Sequence, residues 1–204
     1  MCGRYKLSAV HKDVQKHFNL IDAGFEIQPR EEIFPGTDIL AVDRDHRPEM
    51  IHWTIEDRDN KGTLRKVINA KSETVSFVQM FKEAFKNGRV LIPATGFYEW
   101  KELGDKSKEK YEFEFDEPLF AFAGIARECE IKGKPRECGV ILTTEANDVV
   151  RPIHIKNRMP VILHKYDYEK WLDPDTPMEE LKRIMQPVPN EEIAAKPAKP
   201  EKKE

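Results

Sequence analysis

The chain has 204 residues, a formal net charge of −3 and a hydrophobic fraction of 39%. This length suits a single domain with a sizeable core, and the charge argues against a globally basic nucleic-acid-binding protein. No apolar run approaches the roughly 18 residues that a membrane-spanning helix needs, and the charged start of the chain is unlike a secretory signal. Contact with nucleic acid would therefore require a local basic groove.

Hydrophobic periodicity predicts few helices and many strands. Helices are predicted over residues 8–20, 75–86, 145–150, 166–172 and 178–185, with Ser8 as the first N-cap and Gly88 as the stop of the second helix. Strands are predicted over 38–44, 49–55, 66–70, 89–94, 97–101, 110–115, 119–127, 137–144 and 159–163. Because the strands do not alternate regularly with helices, we predict an α+β fold with a curved, barrel-like, mainly antiparallel sheet flanked by a few short helices.

Composition divides the chain into one domain and a tail. Residues 1–188 carry the periodic patterns, whereas residues 189–204 are rich in lysine, proline and glutamate. Such a segment has too few apolar side chains to form a packed core. We therefore predict a single domain over 1–188 and a disordered tail over 189–204.

The three cysteines are at positions 2, 129 and 138. Cys129 and Cys138 are nine residues apart, which fits neither a C-x-x-C motif nor a zinc ribbon, and the six histidines show no recognised ligand spacing. We predict no disulfide, no metal, no cofactor and a reduced, cytoplasmic protein.

Cys2 has a distinctive chemistry because removal of Met1 would place an α-amine and a thiol on one residue. Their ordinary pKa values are about 7.7–8.0 and about 8.5, so both nucleophiles are partly available near neutral pH. An aldehyde can condense with the amine to an imine, and the adjacent thiol can then close a five-membered thiazolidine ring.

Four short motifs follow one another along the chain: Met-Cys-Gly-Arg at residues 1–4, Asn-Ala-Lys-Ser-Glu-Thr at 69–74, Gly-Phe-Tyr-Glu-Trp at 96–100, and His154 shortly before Arg-Met-Pro at 158–160. In this order they resemble the SRAP domain family, the SOS response-associated peptidases or abasic-site processing proteins. The resemblance covers about residues 1–190. It implies a covalent thiazolidine crosslink between Cys2 and the ring-opened abasic sugar in single-stranded DNA, which shields the lesion in the DNA damage response.

The resemblance also implies roles for individual residues. Cys2 would be the nucleophile, Asn69 would position the sugar, and Glu99 and His154 would transfer protons. An autoprocessing peptidase activity would remove Met1, and a lyase activity is a further option. Glutamate in an aromatic setting can have a raised pKa, and histidine titrates near neutrality, so both residue types suit this chemistry.

Contacts to DNA are assigned to cations and aromatic rings. Phosphates would bind Arg4, Lys71, Lys156 and Arg158, and bases flanking the lesion would stack on Trp53 and Phe97. The chain departs from the family pattern at four places: three residues instead of one separate His154 from Arg158, Lys71 replaces arginine, Thr54 replaces glycine, and Glu32 replaces asparagine.

Two other functions remain open. A cysteine peptidase acting on other peptides would use Cys2 and His154 and would not need the α-amine. A non-covalent module for single-stranded DNA would not need Cys2 at all, and its binding would vanish at high salt. For the crosslinking function we expect a monomer that associates with the nucleoid through abasic single-stranded DNA, with the replication machinery as a further partner and without membrane contact.

Overall fold

A closed five-stranded barrel forms the centre of the molecule. The computed structural model describes residues 2–22, 24–58, 62–104 and 107–198. Within these residues the barrel strands follow the order β12-β4-β3-β8-β11, and β11 pairs with β12 to close the ring. All barrel pairings are antiparallel except that between β4 and β12. The predicted α+β fold with a barrel-like, mainly antiparallel sheet is confirmed.

The described residues form fifteen strands and four α-helices. The strands are β1 (Tyr5–Leu7), β2 (Arg30–Ile33), β3 (Asp38–Val42), β4 (Pro48–Trp53), β5 (Ile55–Arg58), β6 (Leu64–Val67), β7 (Asn69–Lys71), β8 (Arg89–Ala94), β9 (Gly96–Glu102), β10 (Lys108–Phe115), β11 (Phe120–Ile131), β12 (Lys134–Glu145), β13 (Arg158–Pro160), β14 (Ile162–Leu163) and β15 (Ile193–Pro197). The helices are α1 (His11–His17), α2 (Gln79–Asn87), α3 (Tyr168–Leu172) and α4 (Met178–Ile184), with 3-10 turns at Lys165–Asp167 and Asn190–Glu192.

A second sheet packs against the barrel through aromatic side chains. Its order is β15-β10-β9-β1-β2. From this sheet, Tyr5 and Phe97 reach Phe122 of β11, with ring centroids 5.6 and 6.2 Å apart, and Tyr5 also meets Trp53 of β4 at 5.3 Å. On β10, Phe113 is fully buried between two half-buried neighbours. This aromatic layer fixes the positions of β1, which follows the first sequence motif, and of β9, which contains the third.

Several helix predictions differ from the structure. The first helix begins at His11 with Val10 at its N-cap position, so Ser8 does not cap it. The backbone N–H of Ser8 donates to Thr95 Oγ1. The second begins four residues later than predicted, which leaves Phe77 outside it with 81% of its surface exposed. Gly88 does end α2, and a Cβ there would lie 2.2 Å from a backbone oxygen. The predicted helix over 145–150 is wrong, because this segment forms turns.

The predicted tail begins too early. Residues 190–192 form a 3-10 turn, and β15 pairs with β10 along its whole length, with Ile193 buried opposite Phe115. The described part of the chain extends to Ala198, and residues 199–204 of the predicted tail lie outside it. Backbone pairing with β10 orders a sequence whose composition alone did not predict a strand.

The expectation that Cys129 and Cys138 are reduced and unpaired is wrong. They lie on the paired strands β11 and β12 with Cα atoms 6.0 Å apart and form a disulfide. The register that opposes Cys129 to Arg136 and Cys138 to Arg127 makes the two cysteines diagonal neighbours. Among the described residues no helix has the length and apolar composition needed to cross a membrane.

Candidate functional site

Cys2 is completely buried at the start of the described chain. Its sulfur lies 3.9 Å from the carbonyl oxygen of Arg4. Burial raises the pKa of the thiol, and the nearby charge of Glu99 raises it further. The sulfur therefore remains a neutral thiol at physiological pH and needs a base before it can act as a nucleophile.

Glu99 is the buried carboxyl beside Cys2. It lies on β9 on the same side as Phe97, since alternate residues of a strand share a face, and only 5% of its surface is exposed. Burial raises its pKa from 4.5 to about 7. Its Oε2 lies 3.5 Å from Nε2 of His154, whereas its Oε1 is buried without a hydrogen-bond partner in the described structure.

His154 is also buried and lies next to the Glu99 carboxyl. Its Nδ1 accepts a hydrogen bond of 3.1 Å from the backbone N–H of Arg158. Burial lowers its pKa to about 4, and the charges of Lys156 and Arg158 act in the same direction. His154 is therefore a neutral imidazole at physiological pH.

The longer spacing between His154 and Arg158 is accommodated by a turn. The backbone N–H of Asn157 donates to the carbonyl of His154 at 2.9 Å, and Asn157 has a left-handed φ of 51°. The two intervening residues, Ile155 and Lys156, stand at the exposed tip of this turn. His154 therefore reaches Glu99 despite the two additional residues.

Arg158 is held by protein groups. Its guanidinium forms a bidentate pair with Glu73, with distances of 2.5 and 2.8 Å, and Nη2 also donates to the carbonyl of Thr143. Burial alone would raise the pKa of Glu73, but the hydrogen bonds from Arg158 outweigh it and lower the pKa. With 13% of its side chain exposed, Arg158 is placed to hold the His154 turn. Sequence reasoning missed Glu73 as a functional residue, although it is part of the Asn-Ala-Lys-Ser-Glu-Thr motif.

Asn69 contributes a second unpaired polar atom. It lies on β7, which runs parallel to β12, and its Nδ2 donates to the carbonyl of Ile141 at 3.3 Å. Its Oδ1 is buried and has no hydrogen-bond partner in the described structure. Buried polar atoms without partners are rare in folded proteins and mark places where a water or a ligand binds. On the other edge of β12 lies β13, which begins at Arg158, so Asn69 and the His154 turn flank one strand.

The predicted stacking role of Trp53 and Phe97 is wrong, because both rings belong to the core. Trp53 is fully buried and donates its indole N–H to the carbonyl of Ile68 at 2.9 Å. Phe97 is 1% exposed and stacks on Phe113, with ring centroids 4.7 Å apart. Neither ring has a face open to a nucleobase.

The four predicted phosphate-binding cations have different surroundings. Arg4 points to the face of the second sheet opposite Glu99, where it pairs with Glu32 at 2.8 Å and its guanidinium lies over Phe34, 4.1 Å from the ring centroid. Arg158 binds Glu73 as described above. Lys71, at the end of β7, and Lys156, at the turn tip, are exposed.

The structure thus brings Cys2, Glu99 and His154 together, as the sequence motifs predicted. A thiol with a raised pKa, a carboxyl with a pKa near 7 and a neutral imidazole can move protons in succession at neutral pH. Within the described residues no cluster of three or more histidine, cysteine, aspartate or glutamate side chains could hold a metal ion.

Comparison with known proteins finds matches over almost the whole chain. Residues 1–201 match the family model for SOS response associated peptidase (SRAP). The abasic site processing protein YoaM of Bacillus subtilis is 35% identical over 96% of this chain and 89% of its own length. The abasic site processing protein YedK of Escherichia coli is 29% identical over 84% of this chain and 79% of its own length.

Solved structures show the same fold. A protein from Bacteroides thetaiotaomicron superimposes with a TM-score of 0.86 at 24% identity, over 97% of this chain and 92% of that protein. A phage-related protein from Bordetella bronchiseptica gives a TM-score of 0.75 at 27% identity, over 98% and 95% of the two chains.

Proposed function

Because the chain belongs to the SOS response associated peptidase (SRAP) family, we propose that it processes abasic sites in single-stranded DNA by forming a covalent link through Cys2. Relatives over most of its length are named abasic site processing proteins. The observation that carries the proposal is the buried cluster in which Glu99 is close both to His154 and to the thiol of residue 2.

The amine acts first in this mechanism. The thiol has a raised pKa and stays protonated, whereas an α-amine has an ordinary pKa of about 7.7–8.0. Once Met1 is removed, the amine of Cys2 attacks the aldehyde of the ring-opened sugar and forms the C–N bond. The carbonyl oxygen leaves as water with one amine proton and one proton from Glu99, and a protonated imine that keeps the second amine proton results.

Glu99 supports both steps. In its protonated form it donates a proton to the departing oxygen, and as a carboxylate it then accepts the proton of the thiol. The sulfur adds to the carbon of the protonated imine, the thiol proton returns Glu99 to its protonated form, and the ring nitrogen of the thiazolidine keeps the remaining amine proton. A pKa near 7 gives Glu99 both protonation states at neutral pH.

His154 supports Glu99, and Asn69 positions the sugar. Because Nδ1 of His154 accepts a hydrogen bond from the backbone N–H of Arg158, the ring proton lies on Nε2 and faces Glu99, where it stabilises the carboxylate form. The unpaired Oδ1 of Asn69 can accept a hydrogen bond from a sugar hydroxyl.

The family also includes peptidase activity in its name, and we assign this activity to the hydrolytic removal of Met1 by the same residues. A lyase activity would follow from the imine by loss of the 3′ phosphate. We propose that the protein acts in the cytoplasm as a monomer. Its substrate would be abasic single-stranded DNA, and the replication machinery would be the source of such DNA.

A peptidase acting on other peptides is less well supported. Such an enzyme needs a histidine that removes the thiol proton. In this site both ring nitrogens of His154 face partners, Arg158 on one side and Glu99 on the other. The thiol is also buried and has a raised pKa.

One experiment separates the crosslinking function from the other two. Protein with an uncleaved N-terminal tag and protein with a C-terminal tag are mixed with a single-stranded oligonucleotide that carries one abasic site, and adducts are resolved by denaturing electrophoresis. We expect an adduct only with the C-terminal tag, because an amide nitrogen does not attack an aldehyde. Intact-mass measurement should show that Met1 is absent from the reactive protein. Equal adduct yields from the two proteins would overturn the proposal.

A further inference from the structure

A groove on the outside of the barrel lies between the start of β3, the β5–β6 hairpin and the tip of the β11–β12 hairpin. Its volume is about 710 Å³. Four cationic side chains and two carboxylates line it: Lys66, Lys132, Lys134 and Arg136 against Asp38 and Glu56. This groove, here called the hairpin groove, is thus locally basic in a chain whose net charge is −3.

Both carboxylates of the hairpin groove already have partners. Asp38 binds Arg136 at 2.8 Å and also faces His52 at 3.3 Å, and Glu56 binds Lys66. In the described part of the chain, Lys132 and Lys134 form no ion pair, and both side chains are exposed. The excess positive charge of the groove is therefore located on these two lysines.

The two lysines are held on a tight hairpin tip. Ile131 pairs with Lys134, and the two residues between them, Lys132 and Gly133, have φ values of 51° and 76°. Two consecutive left-handed residues are typical of the type I′ turn of a two-residue β-hairpin. The disulfide between β11 and β12 ties the strands together just below this tip. The lysine backbone positions are thus set by the fold.

The hairpin groove meets the candidate site at one chain segment. Ile68 lines the groove, and the next residue is Asn69, whose Oδ1 is buried and has no hydrogen-bond partner among the described residues. The bond from the indole N–H of Trp53 to the carbonyl of Ile68 fixes this segment. The groove and the candidate site are therefore linked through adjacent residues of the chain.

We propose that the hairpin groove binds the phosphodiester backbone of the substrate strand on one side of the abasic sugar, with Lys132 and Lys134 as its phosphate-binding residues. This inference rests on the proposed function and adds a subsite to it. Lysine ammonium groups contact phosphates without reading the bases, which suits a protein that must accept a lesion in any sequence. The groove supplies the local positive charge that an acidic protein needs for DNA.

The test compares two double variants with the same change in net charge. Lys132→Gln/Lys134→Gln removes the groove lysines, and Lys82→Gln/Lys86→Gln removes two exposed lysines of α2, which lies outside the groove. Binding of an undamaged single-stranded oligonucleotide is measured by fluorescence anisotropy from 50 to 300 mM KCl. Thermal unfolding checks that all proteins are folded.

We expect the groove variant to bind roughly 10-fold more weakly at 50 mM KCl, and its plot of log affinity against log salt to be shallower by about 1.4, since each lost phosphate contact removes about 0.7. The α2 variant should keep the wild-type slope. Equal slopes in the two variants would overturn the proposal.

A second measurement separates failure of the subsite from failure of the proposed function. Abasic oligonucleotides are shortened to two nucleotides on either the 5′ or the 3′ side of the lesion. Affinity for one of the two should no longer depend on Lys132 and Lys134, because its groove-binding segment is missing. Non-covalent binding can be measured even if no crosslink forms. If the groove variant lost affinity while no protein formed an adduct, the groove proposal would stand and the crosslinking function would be refuted. Equal sensitivity of both shortened substrates would contradict a one-sided groove.

Discussion

The backbone N–H of Arg158 donates a hydrogen bond to Nδ1 of His154 over 3.1 Å. A backbone N–H can only donate, so Nδ1 is the unprotonated ring nitrogen. The proton of the neutral ring therefore lies on Nε2. Nε2 is 3.5 Å from Oε2 of Glu99. His154 is thereby held as a hydrogen-bond donor to Glu99, and the position of Arg158 determines which tautomer the site contains.

Replacing Glu73 should disturb this tautomer. Glu73→Gln removes the charge that holds the Arg158 guanidinium, so the backbone N–H of Arg158 should lose its fixed position. In DNA-free protein we expect the nitrogen chemical shifts of the His154 ring to show a mixture of tautomers at pH 7.5. Adduct formation should slow by roughly 10-fold, the size seen when the partner that orients a histidine is removed.

Glu145→Gln is the matched control for this prediction. Glu145 lies opposite Arg158 in the register of β12 and β13, and its side chain is exposed. The charge change is the same, but the contact with the guanidinium is intact. If the two variants had the same His154 shifts, Glu73 would have no part in orienting the ring.

The rate of adduct formation should follow a bell-shaped pH profile. The amine must be unprotonated, with an ordinary pKa of about 7.7–8.0, and Glu99 must be protonated, with a pKa of about 7. The rate should therefore rise as the amine loses its proton and fall as Glu99 loses its own. Glu99→Gln should lower the rate by about 10²-fold and remove the alkaline decline. A single-turnover gel assay from pH 5 to 9 measures both, and an unchanged alkaline limb would exclude Glu99 as the acid.

Glu99 should also reduce stability at neutral pH. Its pKa is about 7 in the folded protein, compared with an ordinary value of 4.5, so between these values the folded state holds a proton that the unfolded chain has released. The contribution of Glu99 to the free energy of unfolding is fully present below about pH 4.5 and is lost as the pH rises through 7. The melting temperature of Glu99→Gln minus that of wild type should therefore increase as the pH rises from 5 to 8. The exposed Glu130→Gln serves as the control and should show a constant difference.

Substitutions of Cys2 should separate the two nucleophiles of this residue. Cys2→Ala keeps the amine and loses the sulfur, so we expect no heat-stable adduct without a reductant. Cys2→Ser should give only an imine that borohydride traps, because a hydroxyl does not close the stable sulfur ring. Denaturing gels with and without borohydride distinguish these results. A heat-stable adduct from Cys2→Ala would place the nucleophile elsewhere.

Thiol counting should confirm the cysteine pairing. Denatured without reductant, the protein should react with one equivalent of iodoacetamide, at Cys2, because Cys129 and Cys138 form a disulfide. After reduction it should react with three. Cys2→Ala should give none and two, respectively. Three equivalents before reduction would show that the pair is open in solution, as in a reducing cytoplasm.

Local sequence was sufficient to predict much of the fold. The helices over 166–172 and 178–185 and the strand at Arg89–Ala94 were found where their patterns placed them, because periodicity and proline position act within a few residues. β15 was missed, because Ile193–Pro197 becomes a strand only by pairing with β10, about eighty residues earlier.

Aromatic side chains show a second limit of sequence reasoning. Trp53 and Phe97 were predicted to face DNA, yet both form the layer between the two sheets. A strand pattern shows that alternate residues share a face but does not show which face is covered by another sheet. Phe77 lies within the predicted helix over 75–86, but α2 begins only at Gln79 and Phe77 is exposed.

The sequence by itself predicted the covalent chemistry that we propose, because removal of Met1 would place an amine and a thiol on one residue. Its motifs also identified Glu99 and His154. Only the tertiary structure decided how these groups ionise, since burial and contacts from distant strands raise the pKa of Glu99 to about 7 and lower that of His154 to about 4. The same holds for the charges, because Glu73 and Glu32 pair with Arg158 and Arg4, whereas Lys132 and Lys134 form no ion pair within the described residues. Bonding within one residue is local, whereas desolvation and ion pairing depend on which residues the fold brings together.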